Sequence, residues 1–179
     1  MKRTITLLAA GMLLLGTAFA QAPADTYVYM TFGQPVSMDP ARAYDTASGG
    51  IIENVYETLM SYDGEALDVF VPSLATGYSV SGDGLHWTFD LRPDVRFHSG
   101  NLMTCKDVAW SFKYGALTAN PEGAPAYLMG NLWLGTDIDG SDPAAFLDAV
   151  TWDMIDGIVT CPEGPQGLKA TVNLVNQTP

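Results

Sequence analysis

Residues Leu74–Val108, LATGYSVSGDGLHWTFDLRPDVRFHSGNLMTCKDV, decide how this chain folds. Trp87, Phe89 and Leu91 alternate with His86, Thr88 and Asp90, the period of a strand with one buried and one solvated face. Asp83-Gly84 separates this strand from Tyr78-Ser79-Val80, and both residue types tolerate the positive φ of a tight primed turn, so a hairpin is predicted. Thr104 then opens a helix. Its hydroxyl is placed to accept from the amide three residues on while Asp107 reaches back, a capping box. Val108, Ala109, Phe112 and Ala116 supply the apolar stripe. A hairpin feeding a helix is a packing unit, and Trp87 on its inner face is expected in the core.

Outward from this unit, Tyr27–Phe32 alternates aromatic and polar residues and reads as a strand, broken by Gln34-Pro35 and Asp39-Pro40. Ile51, Ile52, Val55, Tyr56 and Leu59 fall at helical spacing, with Thr46 and Ser48 as N-cap candidates. Asp142-Pro143 starts a further helix over Ala144–Ala149, with proline at its tolerated first position. Val150–Thr160 and Leu168–Leu174 read as strands around the Pro162-Glu163-Gly164-Pro165 turn. No internal repeat or low-complexity tract interrupts the chain.

Taken together, the ordered landmarks Leu74, Ala75, Ser79, Ser81-Gly82-Asp83-Gly84, Arg92, Phe97, His98, Gly100 and Asp107-Val108 resemble the signature region of the family 5 extracellular solute-binding proteins. These are the dipeptide- and oligopeptide-receptor type of ABC importer. Two further motifs agree: Met38-Asp39-Pro40 stands where the family has x-Leu-Asp-Pro, and Tyr56-Glu57-Thr58-Leu59 matches its Tyr-Glu-x-Leu. The resemblance implies an α/β, periplasmic binding-protein-like fold of type II, with two lobes and an accessory domain inserted in the first. Members of that family are much longer than 179 residues. The expectation is therefore a signal peptide over 1–20, the start of lobe one over 21–56, and the accessory α/β domain over 57–179, with the junction near Tyr56–Met60 and the chain truncated.

The N-terminus supports export. Lys2 and Arg3 precede an apolar run from Ile5 to Phe19, and Ala18-Phe19-Ala20 places small residues where a signal peptidase cleaves, predicting a mature start at Gln21. That run is shorter than the ~20 residues of a spanning helix. No cysteine stands beside the site to accept a lipid, and an unanchored receptor fits a periplasm. Processing leaves six basic against twenty acidic residues, a net charge of −14. Nucleic acid and anionic membrane surfaces are thereby disfavoured, since both demand clustered Lys and Arg. Cys105 and Cys161 are an even pair in an oxidising compartment, which points to a disulfide closing a loop of about 57 residues; two free thiols are the alternative. A zinc site is not supported, because CxxC spacing is absent.

Neither His86 nor His98 stands in a triad-like context, so no catalytic residue is assigned and an enzyme is not expected. Asp137, Asp139 and Asp142 lack the glycine position and terminal Glu of an EF-hand loop, which leaves a solvated acidic loop. Trp87, Trp110, Trp133 and Trp152 are expected as core rather than as a carbohydrate platform. Neither metal nor cofactor is required.

The resemblance carries a ligand site with it. In peptide-binding relatives, backbone groups a few residues beyond the x-Leu-Asp-Pro motif line the cleft, which implies Tyr44, Asp45 and Thr46 here, with Asp45 the one side chain able to meet a cationic group. Main-chain recognition suits a receptor that reads peptide backbone and tolerates many side chains. The implied function is capture of a peptide or related solute between two lobes and delivery to inner-membrane ABC permease subunits, by a monomer. Receptors for nickel complexes, glutathione or oligosaccharide share the scaffold, and a secreted interaction module is the alternative of another class.

Overall fold

The computed structural model describes residues 23–28, 30, 33–66, 68–118, 132–133, 135 and 151–176. The expected signal peptide, the acidic cluster Asp137, Asp139 and Asp142, and the expected helix Ala144–Ala149 lie outside them. The chain divides into two compact units, 1–32 and 33–179. In the first, Thr26 N–H closes a turn onto the Pro23 carbonyl at 2.9 Å. Tyr27, Val28 and Met30 are exposed and belong to no strand. Alternation there offers a face but no paired neighbour, so the expected strand is absent at its described positions; Tyr29, Thr31 and Phe32 lie outside them.

The second unit holds helix α1 (Thr46–Val55), strands β1 (Met60–Tyr62), β2 (Phe70–Pro72), β3 (Ala75–Val80) and β4 (His86–Leu91), helix α2 (Cys105–Thr118), helix α3 (Trp152–Gly157), and strands β5 (Val159–Thr160) and β6 (Lys169–Asn173). β1 and β2 form an antiparallel pair. The larger sheet has the order β3-β4-β6-β5, with every neighbour antiparallel. Its register stacks one face: Val80 opposite Trp87 opposite Val172 opposite Val159, and Tyr78 opposite Phe89 opposite Ala170. α2 packs over the β5–β6 half of this sheet. Under it Ala170, Val172, Val159, Ile155, Ile158, Val108, Cys105 and Ala116 form the core. On the opposite face Thr88 and Thr171 face each other with hydroxyls 2.9 Å apart, the polar side of the alternation.

The hairpin is present, but its turn differs from the primed type. Gly84 N–H bonds the Ser81 carbonyl at 2.9 Å. Gly84 alone takes a positive φ, +73°, while Asp83 does not. The Asp83 carboxylate instead accepts from Ser81 Oγ and the Leu85 amide, pinning the loop from its side chain. At α2, Asp107 reaches back to the Thr104 amide at 2.8 Å as a capping box requires. The Thr104 hydroxyl donates to that same carboxylate at 3.1 Å rather than accepting from a backbone amide.

Three assignments change. Val150–Thr160 is not one strand: Thr151 caps α3 by accepting from the Met154 amide, and only Val159–Thr160 joins the sheet. Ile155, Ile158 and Val159 are the buried positions, an i, i+3, i+4 set that is helical in period. α1 stops at Val55, because Tyr56 turns extended. The Thr58 and Leu59 carbonyls then accept from Leu74 and Ala75 amides, which places the Tyr-Glu-x-Leu segment beside β3 instead of in the helix. Trp110 and Trp152 are exposed at 62% and 67%, against the core expectation, because Trp110 lies off the Val108, Phe112, Ala116 stripe and Trp152 opens α3. Trp87 and Trp133 are only partly buried, packed against the core rather than inside it.

Cys105 and Cys161 are bonded, with Cα atoms 5.8 Å apart. The bond ties the start of α2 to the end of β5, where Lys106 and Cys105 amides also bond the Pro165 and Gly167 carbonyls at 2.9 Å. The expected junction at Tyr56–Met60 falls inside the second compact unit.

Candidate functional site

Tyr44, Asp45 and Thr46 stand at the entrance of α1. That helix contains Gly49 and Gly50, each costing about 1 kcal/mol relative to alanine, so its intrinsic stability is poor and its cap matters. The cap is Asp45, not Thr46 or Ser48. Its carboxylate accepts from the Ser48 amide at 2.9 Å and from Ser48 Oγ at 2.6 Å. Ser48 is fully buried, and its hydroxyl oxygen in turn accepts the Val36 and Ser37 amides at 2.9 and 3.2 Å. An Asp-x-x-Ser spacing before a helix could have revealed this pair, since an N-cap carboxylate and an N3 hydroxyl meet naturally.

The consequence for ligand chemistry is direct. The Asp45 carboxylate, bound to Ser48 and reached by the Val36 amide at 3.4 Å, is already a structural acceptor at the helix cap. Tyr44 and Thr46 are exposed on either side of it, and the Asp45 carbonyl accepts from the Gly49 amide at 2.9 Å.

Hydrogen bonding from Ser48, side chain first and then amide, holds the Asp45 carboxyl below its ordinary pKa. A depressed folded pKa contributes stability that is present above the unfolded value near 3.9 and lost as pH falls through the folded value. Acidification below about pH 3.9 should therefore loosen the α1 entrance. The protection of the Ser48 and Gly49 amides, taken relative to the intrinsic exchange rate at each pH and followed from pH 5 downward, is expected to fall in the wild type. In Asp45→Asn that pH response should vanish.

Asp39 organises the approach to this turn. Its carbonyl accepts from the Arg42 and Ala43 amides at 3.0 and 2.9 Å, and its Oδ1 from the Ala41 amide at 2.9 Å. Its own amide donates to Ser37 Oγ at 3.1 Å. Tyr114 of α2 donates its hydroxyl to Asp39 Oδ2 at 2.6 Å, a bond that raises the phenol above its usual pKa. Sequence reasoning missed Tyr114, since nothing local links two residues 75 positions apart.

A concavity of about 380 Å³ lies over the β3–β4 half of the sheet face that α2 leaves open. Leu59, Met60, Phe70, Tyr78, Trp87 and Phe89 line it, with Thr58 the polar member of the lining and Phe112 closing the side toward α2. Tyr78 stacks on Trp87 with ring centroids 5.6 Å apart. Its breadth explains why Trp87 and Phe89 remain partly exposed. Among the described residues, no group of three or more His, Cys, Asp or Glu side chains is placed to hold a metal ion, and no helix is long and apolar enough to cross a membrane.

An antiparallel sheet with a helix on one face, entered from a loop-and-helix segment, is a piece of the periplasmic binding-protein architecture. The Escherichia coli murein tripeptide binding protein shares it, with a TM-score of 0.60 at 24% identity over 81% of this chain and 26% of that one. Residues 69–160 match the model of the bacterial extracellular solute-binding proteins, family 5 Middle. The match spans just over half of the chain, which belongs to that family. The oligopeptide-binding protein OppA of Bacillus subtilis is 33% identical over 98 residues, 54% of this chain and 17% of its own length. The heme-binding protein A of Haemophilus influenzae is 31% identical over 133 residues, 63% of this chain and 24% of its own. The chain thus spans about a quarter or less of the relatives it matches.

Proposed function

We propose that this chain forms part of the solute-receiving component of a periplasmic ABC importer, binding peptides or related solutes and passing them to inner-membrane permease subunits. The supporting observation is the family match over residues 69–160. On this reading the protein performs no chemistry on its ligand: it is exported by cleavage after Ala20, acts as a monomer and uses no cofactor. Nucleic acid is not a partner. The main chain of Tyr44, Asp45 and Thr46 contributes one wall of the ligand cleft, with Asp45 serving through its cap to hold the wall in shape.

Capture in such receptors comes from closure of two walls around the solute, so that ligand stabilises the closed state. With a single wall, few of the contacts that offset the cost of association are available. Calorimetry of residues 21–179 with a mixed di- to pentapeptide pool at micromolar concentration should therefore give no measurable heat. Micromolar binding that survives deletion of residues 21–56 would place the site within residues 57–179 and overturn the assignment to Tyr44, Asp45 and Thr46.

A further inference from the structure

We infer that Tyr114 is a positioning residue for the proposed ligand wall: its hydroxyl, bonded to Asp39, lets helix α2 set the path of the backbone that leads to Tyr44–Thr46. The inference rests on the reading of Tyr44–Thr46 as a ligand wall for its functional meaning, and on the hydrogen bonds alone for its geometry.

Asp39 uses its main-chain and side-chain groups at once. Its Oδ1 and its carbonyl together take the amides of Ala41, Arg42 and Ala43, which curls the chain into a turn immediately before Tyr44. Fixing the plane of the carboxylate fixes that turn, because Oδ1 cannot rotate without breaking the Ala41 bond. The remaining oxygen, Oδ2, is held by Tyr114 at 2.6 Å. Hydrogen bonds to a charged acceptor are the stronger kind, and this one is long-range, closing a separation of 75 residues.

Tyr114 stands on a rigid base. α2 begins at Cys105, which is bonded to Cys161, and Lys113 one residue before it is paired with Asp156 of α3. The buried pair Gly115 and Ala116 follows it directly. The phenol therefore projects from a helix anchored at its start by a covalent link and along its length by packing. The loop at Asp39 contributes no comparable core residue of its own before Ser48. Direction follows from that asymmetry: the helix positions the loop.

The test is amide hydrogen exchange on residues 21–179 in wild type, Tyr114→Phe, Asp39→Asn and Asp39→Ala. Tyr114→Phe keeps the ring and removes only the donor. Exchange at Ala41, Arg42 and Ala43 should rise roughly tenfold, the effect expected on losing one hydrogen bond to a charged group, while β4 and β6 amides stay unchanged. Asp39→Asn keeps its one oxygen for the Ala41 amide and turns its NH2 toward the phenol oxygen, which then accepts, so the contact persists and most of the protection should remain. After Asp39→Ala, adding Tyr114→Phe should have no further effect at these amides, since their coupling is through that contact. Unchanged exchange in Tyr114→Phe, or additive effects in the double variant, would overturn the inference. A parallel titration with tri-alanine separates it from the ligand-wall reading: loss of protection without any peptide response at Tyr44–Thr46 leaves the positioning intact and removes the wall.

Discussion

Replacing both Cys105 and Cys161 with alanine is expected to lower the unfolding free energy by about 4 kcal/mol, the chain-entropy value for a loop of this length. The bonded residues are 56 apart in sequence, so the link constrains nearly the whole stretch from α2 to β5 in the unfolded chain. With a urea dependence of about 2 kcal/mol per molar, the midpoint should fall by roughly 2 M. Urea melts of the wild type with and without reductant should reproduce that shift. A shift below a few tenths of a molar would show that the link is absent or that the unfolded chain is already compact.

Ile158→Ala is the second large effect. Ile158 is 1% exposed and links α3 to β5, and its carbonyl accepts from the Asn173 amide at 2.8 Å, so the side chain sits where helix, strand and sheet meet. Truncation removes buried methyl and methylene groups and leaves a cavity that the covalently tied surroundings cannot close fully. A loss of about 2 to 5 kcal/mol is expected. Thermal and urea unfolding should agree on it, and a loss under 1 kcal/mol would mean that the α3–β5 corner is plastic.

How much of this was legible in sequence depended on whether the deciding contact was local. β4 was, because Trp87, Phe89 and Leu91 declare one face through strict alternation, and the partner strand β6 declares the same through Ala170, Val172 and Leu174. The reach of Asp107 back to Thr104 was also readable, being confined to three residues. α3 was not recognised, since its six residues are too few to show a period against β-branched neighbours at Val150 and Thr151. The end of α1 was misplaced because apolar Tyr56 and Leu59 continue the helical spacing, while pairing with Leu74 and Ala75 draws the backbone straight. Tertiary demand overrode local pattern there.

The proposed ligand wall shows the same division. Counting from Met38-Asp39-Pro40 reached Tyr44, Asp45 and Thr46, but not what their side chains do. Ser48, a small buried hydroxyl three residues on, donates to the Asp45 carboxylate and makes it the cap of α1. The Tyr114–Asp39 contact has no local signal, since it depends on where α2 lies over the sheet. The aromatic concavity beside Trp87 was likewise invisible, because it records where α2 does not reach.

The backbone of Tyr44, Asp45 and Thr46 is proposed as a peptide-reading wall. Amide chemical-shift mapping of residues 21–179 during a titration with tri-alanine at millimolar concentration is the decisive measurement, since one wall retains weak contact even where calorimetry is silent. Shifts concentrated at Tyr44, Asp45 and Thr46 are expected, with Tyr78, Trp87 and Phe89 unmoved. Shifts centred on the aromatic concavity, or none at Tyr44–Thr46, would contradict it.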